Sequence, residues 1–273
     1  MTSESPDFSE IIAAVFSDFE SFSKPVHTEK WQSIDISKRP DAEMREMINV
    51  YFQVEMLSEE LDHYRREIKP NLPWADRHFE LERASGKPYN PGETWKEWPY
   101  ALSADKFRTQ ETFSHTYAER YWPKLAMKSG YPAKFGKTRH ISHEGIRYRY
   151  GDLGSMISLL ATQPLTRQAY LPVWFPEDTG VEHGERVPCT LGYHFINRQD
   201  RLHVFYPIRS CDLVRHFRDD LYLTVRLLLL VLSNCRRLNP ESWTHVKPGV
   251  FTFWCGSAHM FINDYRKLYG VKP

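Results

Sequence analysis

The chain has 273 residues, 36 basic and 35 acidic, for a net charge of +1; it is long enough to bury a full core, and the balanced charge excludes a general polyanion-binding surface. Cys189, Cys211, Cys235 and Cys255 show no CxxC and no paired spacing, which excludes a disulfide framework and fits reduced thiols in a cytosol. The longest apolar run, Leu227 to Leu232, is too short to cross a bilayer and the acidic start lacks a signal-peptide core, so the expectation is a soluble cytoplasmic protein with no membrane or nucleic-acid partner.

In chain order, Asp7 to Ser23 reads as a helix with Ile11, Ile12, Val15, Phe16, Phe19 and Phe22 on one face. Trp31 to Ile36 is a candidate strand. Asp41 to Arg66 is predicted to be a long helix, because Met44, Met47, Ile48, Tyr51, Phe52, Leu57, Leu61 and Tyr64 follow the helical period and Asp41 follows Pro40 as a cap. Glu60 near its end reads, from residue type alone, as part of a solvated face.

From about 70 to 140 the chain is rich in Pro, Trp, Tyr and charge, and only His115 to Lys128 suggests a helix. It is too long for a simple loop and reads as a structured insertion or lid. Trp74 and its neighbours are the right residue types to wall a flat heterocycle, although aromatics in such a segment more often pack locally. His140-Ile141-Ser142-His143-Glu144 lacks HExxH spacing and a third ligand, so no metal is expected. Asp152 to Gln163 reads as a helix, Ala169 to Trp174 as a strand, and Leu221 to Asn234 as an almost wholly apolar helix suited to burial under a sheet. Val250 to Cys255 reads as a buried strand, and Cys211, Cys235 and Cys255 as core thiols.

The densest chemistry lies between Val187 and Asp220. LGYHFIN and LHVFYPI have strand character around a polar turn, Asn197 to Asp200. That hairpin brings Cys189 back toward Arg209-Ser210-Cys211-Asp212. A guanidinium beside a thiol lowers its pKa and makes it a nucleophile; the same guanidinium with a hydroxyl suits a phosphate.

Pro188-Cys189, with Arg209-Ser210-Cys211-Asp212 beginning twenty positions on, resembles the thymidylate synthase superfamily. Gly256-Ser257-Ala258-His259-Met260-Phe261 resembles that family's sugar-binding motif. Phe217-Arg218-Asp219-Asp220 is most similar to the deoxycytidylate hydroxymethylases of DNA-modifying bacteriophages. The resemblance runs from about Trp31 to Asp264, interrupted by the insertion. It implies one α+β catalytic domain over 1–273, a mixed sheet flanked by helices, and a homodimer packed through that sheet. For a viral member the compartment is the host-cell cytoplasm.

The resemblance further implies the chemistry. Cys189 attacks C6 of a pyrimidine nucleotide, and C5 takes a one-carbon unit from 5,10-methylenetetrahydrofolate, without a metal. Arg209 and Ser210, with Arg167 from the partner subunit, hold the 5′-phosphate; His259 approaches the sugar, where Phe261 stands in place of a family tyrosine. Asp212 and Trp74 hold the folate, Glu60 is the catalytic glutamate that positions a water, and Asp220 reads the base. The second arginine of the family's pair is Gln168 here. A count back from Arg167 puts Phe135-Gly136 at the catalytic Tyr-Gly, with Tyr148 or Tyr150 as substitutes. The expected product is 5-hydroxymethyl-dCMP for modified DNA synthesis. The alternatives are a methyltransferase making 5-methyl-dCMP or dTMP, a CMP hydroxymethylase, and an inactive nucleotide-binding homologue.

Overall fold

The computed structural model describes residues 6–31, 34–39, 42–105, 108, 111–123, 151–179 and 186–271. Within them runs a six-stranded mixed sheet. Its strands are β1 (Lys24–Val26), β4 (Met44–Glu55), β8 (Lys247–Phe261), β7 (Arg201–Asp212), β6 (Gly192–Arg198) and β5 (Tyr170–Pro172), in that spatial order. Only β7 and β8 pair in parallel. A separate two-stranded hairpin, β2 (Lys30–Trp31) with β3 (Ile34–Asp35), stands where one strand was expected.

The expected hairpin of β6 and β7 forms, with a turn shorter than the expected Asn197–Asp200, since Asn197 and Arg198 still pair in the strand. Its turn residues Gln199 and Asp200 both take positive φ, 50° and 55°, the left-handed twist that a two-residue hairpin turn requires. Helix α1 (Phe8–Phe22) forms within its expected bounds, although Phe22, expected on its apolar face, is exposed. Asp7 caps it through a reciprocal pair with Glu10, and Phe8, Ile12, Val15 and Phe19 are buried at three- and four-residue intervals.

The long helix expected over 41–66 is corrected to β4 followed by a short helix, α2 (Leu61–Ile68). The reason lies at Asn49, whose φ of 61° bends the strand. After it Val50, Phe52 and Val54 point into the core; before it Met44 and Glu46 turn toward a cavity and Ile48 lies 72% exposed. The change of face breaks strict alternation, so the apolar positions mimic a helical spacing. Between 74 and 121 the described residues form short helices: α3 (Trp74–His78) running into a π-turn (Phe79–Arg83), a 3-10 turn (Thr94–Glu97), α4 (Ala101–Asp105) and α5 (Tyr117–Tyr121). Of the helix expected over 115–128, Tyr117–Tyr121 is helical, and residues 124–128 lie outside the described residues. Phe135-Gly136, Tyr148, Tyr150 and the 140–144 run lie outside the described residues.

Helix α6 (Leu153–Thr162), capped by Asp152, packs on α7 (Phe217–Leu238), which lies on the sheet as the apolar run predicted. Phe217, Phe52, Tyr206 and Phe253 meet at the centre, with Phe52 stacked on Phe253 at 4.9 Å and Phe217 edge-on to it at 5.5 Å. Each such buried ring contributes about 1.5–3 kcal/mol over exposure. Cys211, Cys235 and Cys255 are buried among them, as expected of core thiols. A further short helix, α8 (Pro240–Trp243), precedes β8, and α9 (Ile262–Tyr269) follows it. No described helix is long and apolar enough to cross a membrane.

Candidate active site

A cavity of about 580 Å³ opens where the ends of β7 and β8 meet the start of α7 and the roof formed by residues 74–117. Cys189 lies in it. The parallel pairing of β7 with β8 sets Ser210 beside Ser257 and Asp212 beside His259, so two motifs far apart in sequence share one wall.

The thiol end is held by backbone. Arg209 N donates to Cys189 O at 2.9 Å, which binds the two segments together. The Arg209 guanidinium donates to Pro188 O and Val187 O at 2.9 and 3.1 Å, lies over the Trp174 ring, and reaches to 3.9 Å from Cys189 Sγ. The expected thiol–guanidinium contact is present, but its effect on the thiol is only partial. Burial pushes the Cys189 pKa up, against the pull of Arg209 and Arg186. Ser210 Oγ lies 3.3 Å from His259 Nδ1, and burial keeps that imidazole below its usual pKa despite the nearby Asp212. Asp212 is nearly buried and accepts from Val214 N and Arg215 N at 3.0 and 3.1 Å. Glu46, from β4, reaches Ser257 Oγ at 2.5 Å.

The opposite end is built by α7 and the roof. Asp219 is tied down by Asn71 N and Nδ2, each at 2.8 Å, and by Trp98 Nε1 at 3.3 Å. Asp220 differs from its neighbour: among the described residues none hydrogen-bonds its carboxylate, which opens into the cavity. Burial pushes its pKa up to about 7, with Arg83 acting in the other direction. Trp98 stacks on His216 at 4.7 Å, and desolvation takes that imidazole down to about 3, so it is neutral. Trp74 also lines the cavity, stacked on His78 at 5.0 Å, with its Nε1 buried and without a hydrogen-bond partner among the described residues. The indole walls, the orphaned Nε1 and the Asp212 carboxylate are chemically suited to a flat heterocycle with polar edges.

Cys189, Arg209, Ser210, Asp212, Asp220, His259 and Trp74 are therefore brought together. Three expected site residues are not. Glu60 is exposed at the N-cap of α2 and does not line the cavity where it was expected, because the chain leaves the sheet there rather than ending a helix beneath the site. Phe261 is buried in a side cluster with Ile36, Ala42 and Met44, under the Arg215 guanidinium at 4.5 Å, rather than at the cavity wall. Arg167 is exposed on the loop before β5, its carbonyl 3.0 Å from His194 Nε2, and does not reach this chain's own cavity.

Among the cavity residues that the sequence did not single out are Tyr117 and Arg83. Tyr117 stands at the start of α5, its hydroxyl 2.9 Å from Thr190 Oγ1, next in sequence to Cys189. Burial raises its pKa. The Thr116-x-x-Glu119 capping box that opens α5 was the available signal. Arg83 is the other, and nothing in its local sequence marks it. Among the described residues no cluster of His, Cys, Asp and Glu is arranged to hold a metal.

No family model matches the chain. Among curated proteins, the thymidylate synthases of Mycoplasma pneumoniae and Mycoplasma genitalium are each 22% identical to it. The first matches over 181 residues, 66% of this chain and 58% of that protein; the second over 176 residues, 64% and 56%. The match thus spans less than two thirds of those relatives' length. Among solved structures, the thermostable thymidylate synthase A of Bacillus subtilis aligns over 97% of this chain and 83% of its own, with a TM-score of 0.61 at 13% identity. The thymidylate synthase of T4 phage aligns over 97% and 81%, with a TM-score of 0.58 at 16% identity. The chain has the thymidylate synthase fold, an α+β architecture of a mixed six-stranded sheet flanked by helices.

Proposed function

We propose that this chain transfers a one-carbon unit to C5 of a pyrimidine nucleotide, and that the reaction is hydroxymethylation of dCMP. The observation that carries the reading is the Asp220 carboxylate opening into the same cavity as Cys189. Similarity to thymidylate synthases supports the reaction class.

The chemistry assigns each residue a task. C5 of a pyrimidine is a poor nucleophile until a group adds at C6. Cys189, as thiolate, forms the S–C6 bond, and the electron pair displaced from the C5–C6 bond makes C5 nucleophilic. Arg209 and Ser210 hold the 5′-phosphate, and the two nearby guanidinium groups, Arg209 and Arg186, favour the thiolate. His259 faces the sugar. Asp212 and Trp74 hold the reduced folate that the resemblance implies, and when bound it supplies the one-carbon unit. Once C5 has bonded to that unit, loss of the C5 proton and departure of tetrahydrofolate leave an exocyclic methylene on the base; water adds there and gives up a proton, and expulsion of the Cys189 thiolate from C6 restores the ring. With Glu60 outside the cavity, the carboxylate suited to take the water's proton is Asp220. Its pKa near 7 is matched to that task, and the 4-amino group it reads is adjacent to C5.

The active unit in this proposal is a homodimer. One sheet face is bare where Ile48, Tyr51, Phe205 and Tyr170 lie exposed, an apolar surface of the kind that marks an interface. Arg167, on the loop entering β5 at the edge of this sheet, would then reach the partner's phosphate site.

A second reading is favoured by the thymidylate synthases among the similar proteins: methylation of dCMP or dUMP, with hydride in place of water. Incubation with dCMP and 5,10-methylenetetrahydrofolate distinguishes the two. A hydroxymethyl nucleotide with tetrahydrofolate released is expected; a methyl nucleotide with a dihydrofolate absorbance change in step with turnover overturns it.

A further inference from the structure

Arg83 is a buried cation at the cavity wall with no carboxylate in contact with it among the described residues. Isolated buried charges are costly, and a wall that only needed filling would be apolar. The surroundings instead fix the guanidinium in one position. Its Nε donates to His78 Nε2 at 3.0 Å, and its Cζ lies 4.2 Å from the centroid of the Tyr117 ring. The His78 ring must then carry its proton on Nδ1, which faces Glu82 Oε2 at 3.0 Å. Burial holds that imidazole below its usual pKa and so keeps Nε2 an acceptor.

Glu82 is fixed in turn by the amides of Glu93 and Thr94, at 2.8 and 2.7 Å. Gly92, at φ +78°, permits this, because a Cβ there would collide with the Glu82 carboxylate. The whole relay comes from one segment, residues 78–94, that the reaction described above leaves without a task. The guanidinium it fixes lines the same cavity as Asp220.

We propose that Arg83 is a specificity-determining residue: its guanidinium donates to the unprotonated ring nitrogen N3 of cytosine while Asp220 accepts from the neighbouring 4-amino group. The pair presents acceptor and donor side by side, the complement of cytosine's donor and acceptor. Asp220 then stays ionised when the base is bound and need not share a proton with N3. Negative charge that develops on the N3–C4 amidine as the thiolate adds at C6 falls beside a cation already in position. This inference rests on the cytosine reading of the site.

The test compares binding of dCMP with 3-deaza-dCMP, which keeps the 4-amino group but has C–H in place of N3. Wild-type protein should bind dCMP about ten- to a hundred-fold more tightly, the range of a hydrogen bond to a charged donor. In Arg83→Met that difference should vanish, while a residue with a merely structural part would weaken both ligands equally. Equal binding of the two ligands by wild-type protein overturns the inference, whether or not the variant folds. A discrimination that survives in a folded Arg83→Met also overturns it. A wild-type preference for dUMP over dCMP breaks the underlying cytosine reading instead, and is seen as a reversed order between those two nucleotides.

Discussion

The two ends of the cavity are built in opposite ways. At the thiol end, Cys189, Arg209, Ser210 and Asp212 come from one hairpin and the strand that continues it, and backbone bonds such as Arg209 N to Cys189 O hold them together. At the base end, Asp220 opens α7, while Arg83, Tyr117 and Trp98 arrive from segments a hundred residues or more earlier. The first end inherits its precision from sheet register. The second depends on side-chain packing: Trp74 on His78, Trp98 on His216, Arg83 on Tyr117. A sheet-built end tolerates little variation in backbone, whereas a packed end can change its reading of the base by changing one side chain.

The largest expected effect is at the thiol end. Cys189→Ser should lower turnover on the order of 10³-fold or more, because the covalent step is lost, while nucleotide affinity changes only a few-fold. A variant that keeps substantial turnover under single-turnover assay removes Cys189 from the mechanism.

Next is the subunit boundary. Arg167→Ala and Cys189→Ala homodimers should each be inactive, and mixing them should restore up to about a quarter of wild-type activity, since half of randomly paired dimers carry one intact site. A mixture that stays inactive while native mass spectrometry records hybrid dimers shows that Arg167 does not serve the neighbouring site.

The contrast between the ends also explains what the sequence made legible. The Cys189 and Arg209 end was readable because a hairpin turn and two short motifs fix it within some twenty residues. Helix α7 and the β6–β7 hairpin were readable from their apolar runs. The strand Met44–Glu55 was not, because Asn49 switches its faces and the bare outer face carries Ile48 and Tyr51; a strand that is apolar on both faces loses the period-two signature. Tyr117 and Arg83 were hidden for a different reason. Their meaning comes from where residues 74–121 fold over the site, and no spacing within the segment encodes that.

At the base end the effect is smaller and two-signed. Asp220→Asn should lower dCMP kcat/KM about 10–100-fold and raise that for dUMP, since an amide matches uracil at O4 and N3–H. Unchanged relative kinetics on the two nucleotides would exclude Asp220 as the base reader. The same substitution changes stability with pH. The folded Asp220 titrates near 7 and the unfolded one near 4, so between those values the unfolded chain binds fewer protons and wild-type stability falls as pH rises. The variant lacks this loss. Its melting temperature relative to wild type should rise from pH 5 to pH 8, by an amount equivalent to a few kcal/mol at most, and a constant difference would mean that the carboxyl is not held in its neutral form by the fold.

The smallest expected effect lies outside both ends. Glu60 is solvent-exposed, its amide bonded to Ser58 Oγ at 3.0 Å and its side chain making no cap bond to α2. An exposed carboxylate away from the cavity has neither the desolvated setting that tunes a general base nor reach to the methylene on C5. Glu60→Gln should therefore leave kcat/KM for dCMP within about two-fold and stability within about 0.5 kcal/mol. Placed in the cavity, the same residue as water-positioning base would cost on the order of 10²-fold when neutralised. The two outcomes differ enough for a single kinetic comparison to separate them. A hundred-fold loss in Glu60→Gln, with an unchanged melting temperature, would mean that the segment from Met56 to Leu61 moves inward when nucleotide and folate bind. The water would then be assigned to Glu60, leaving Asp220 with the base alone.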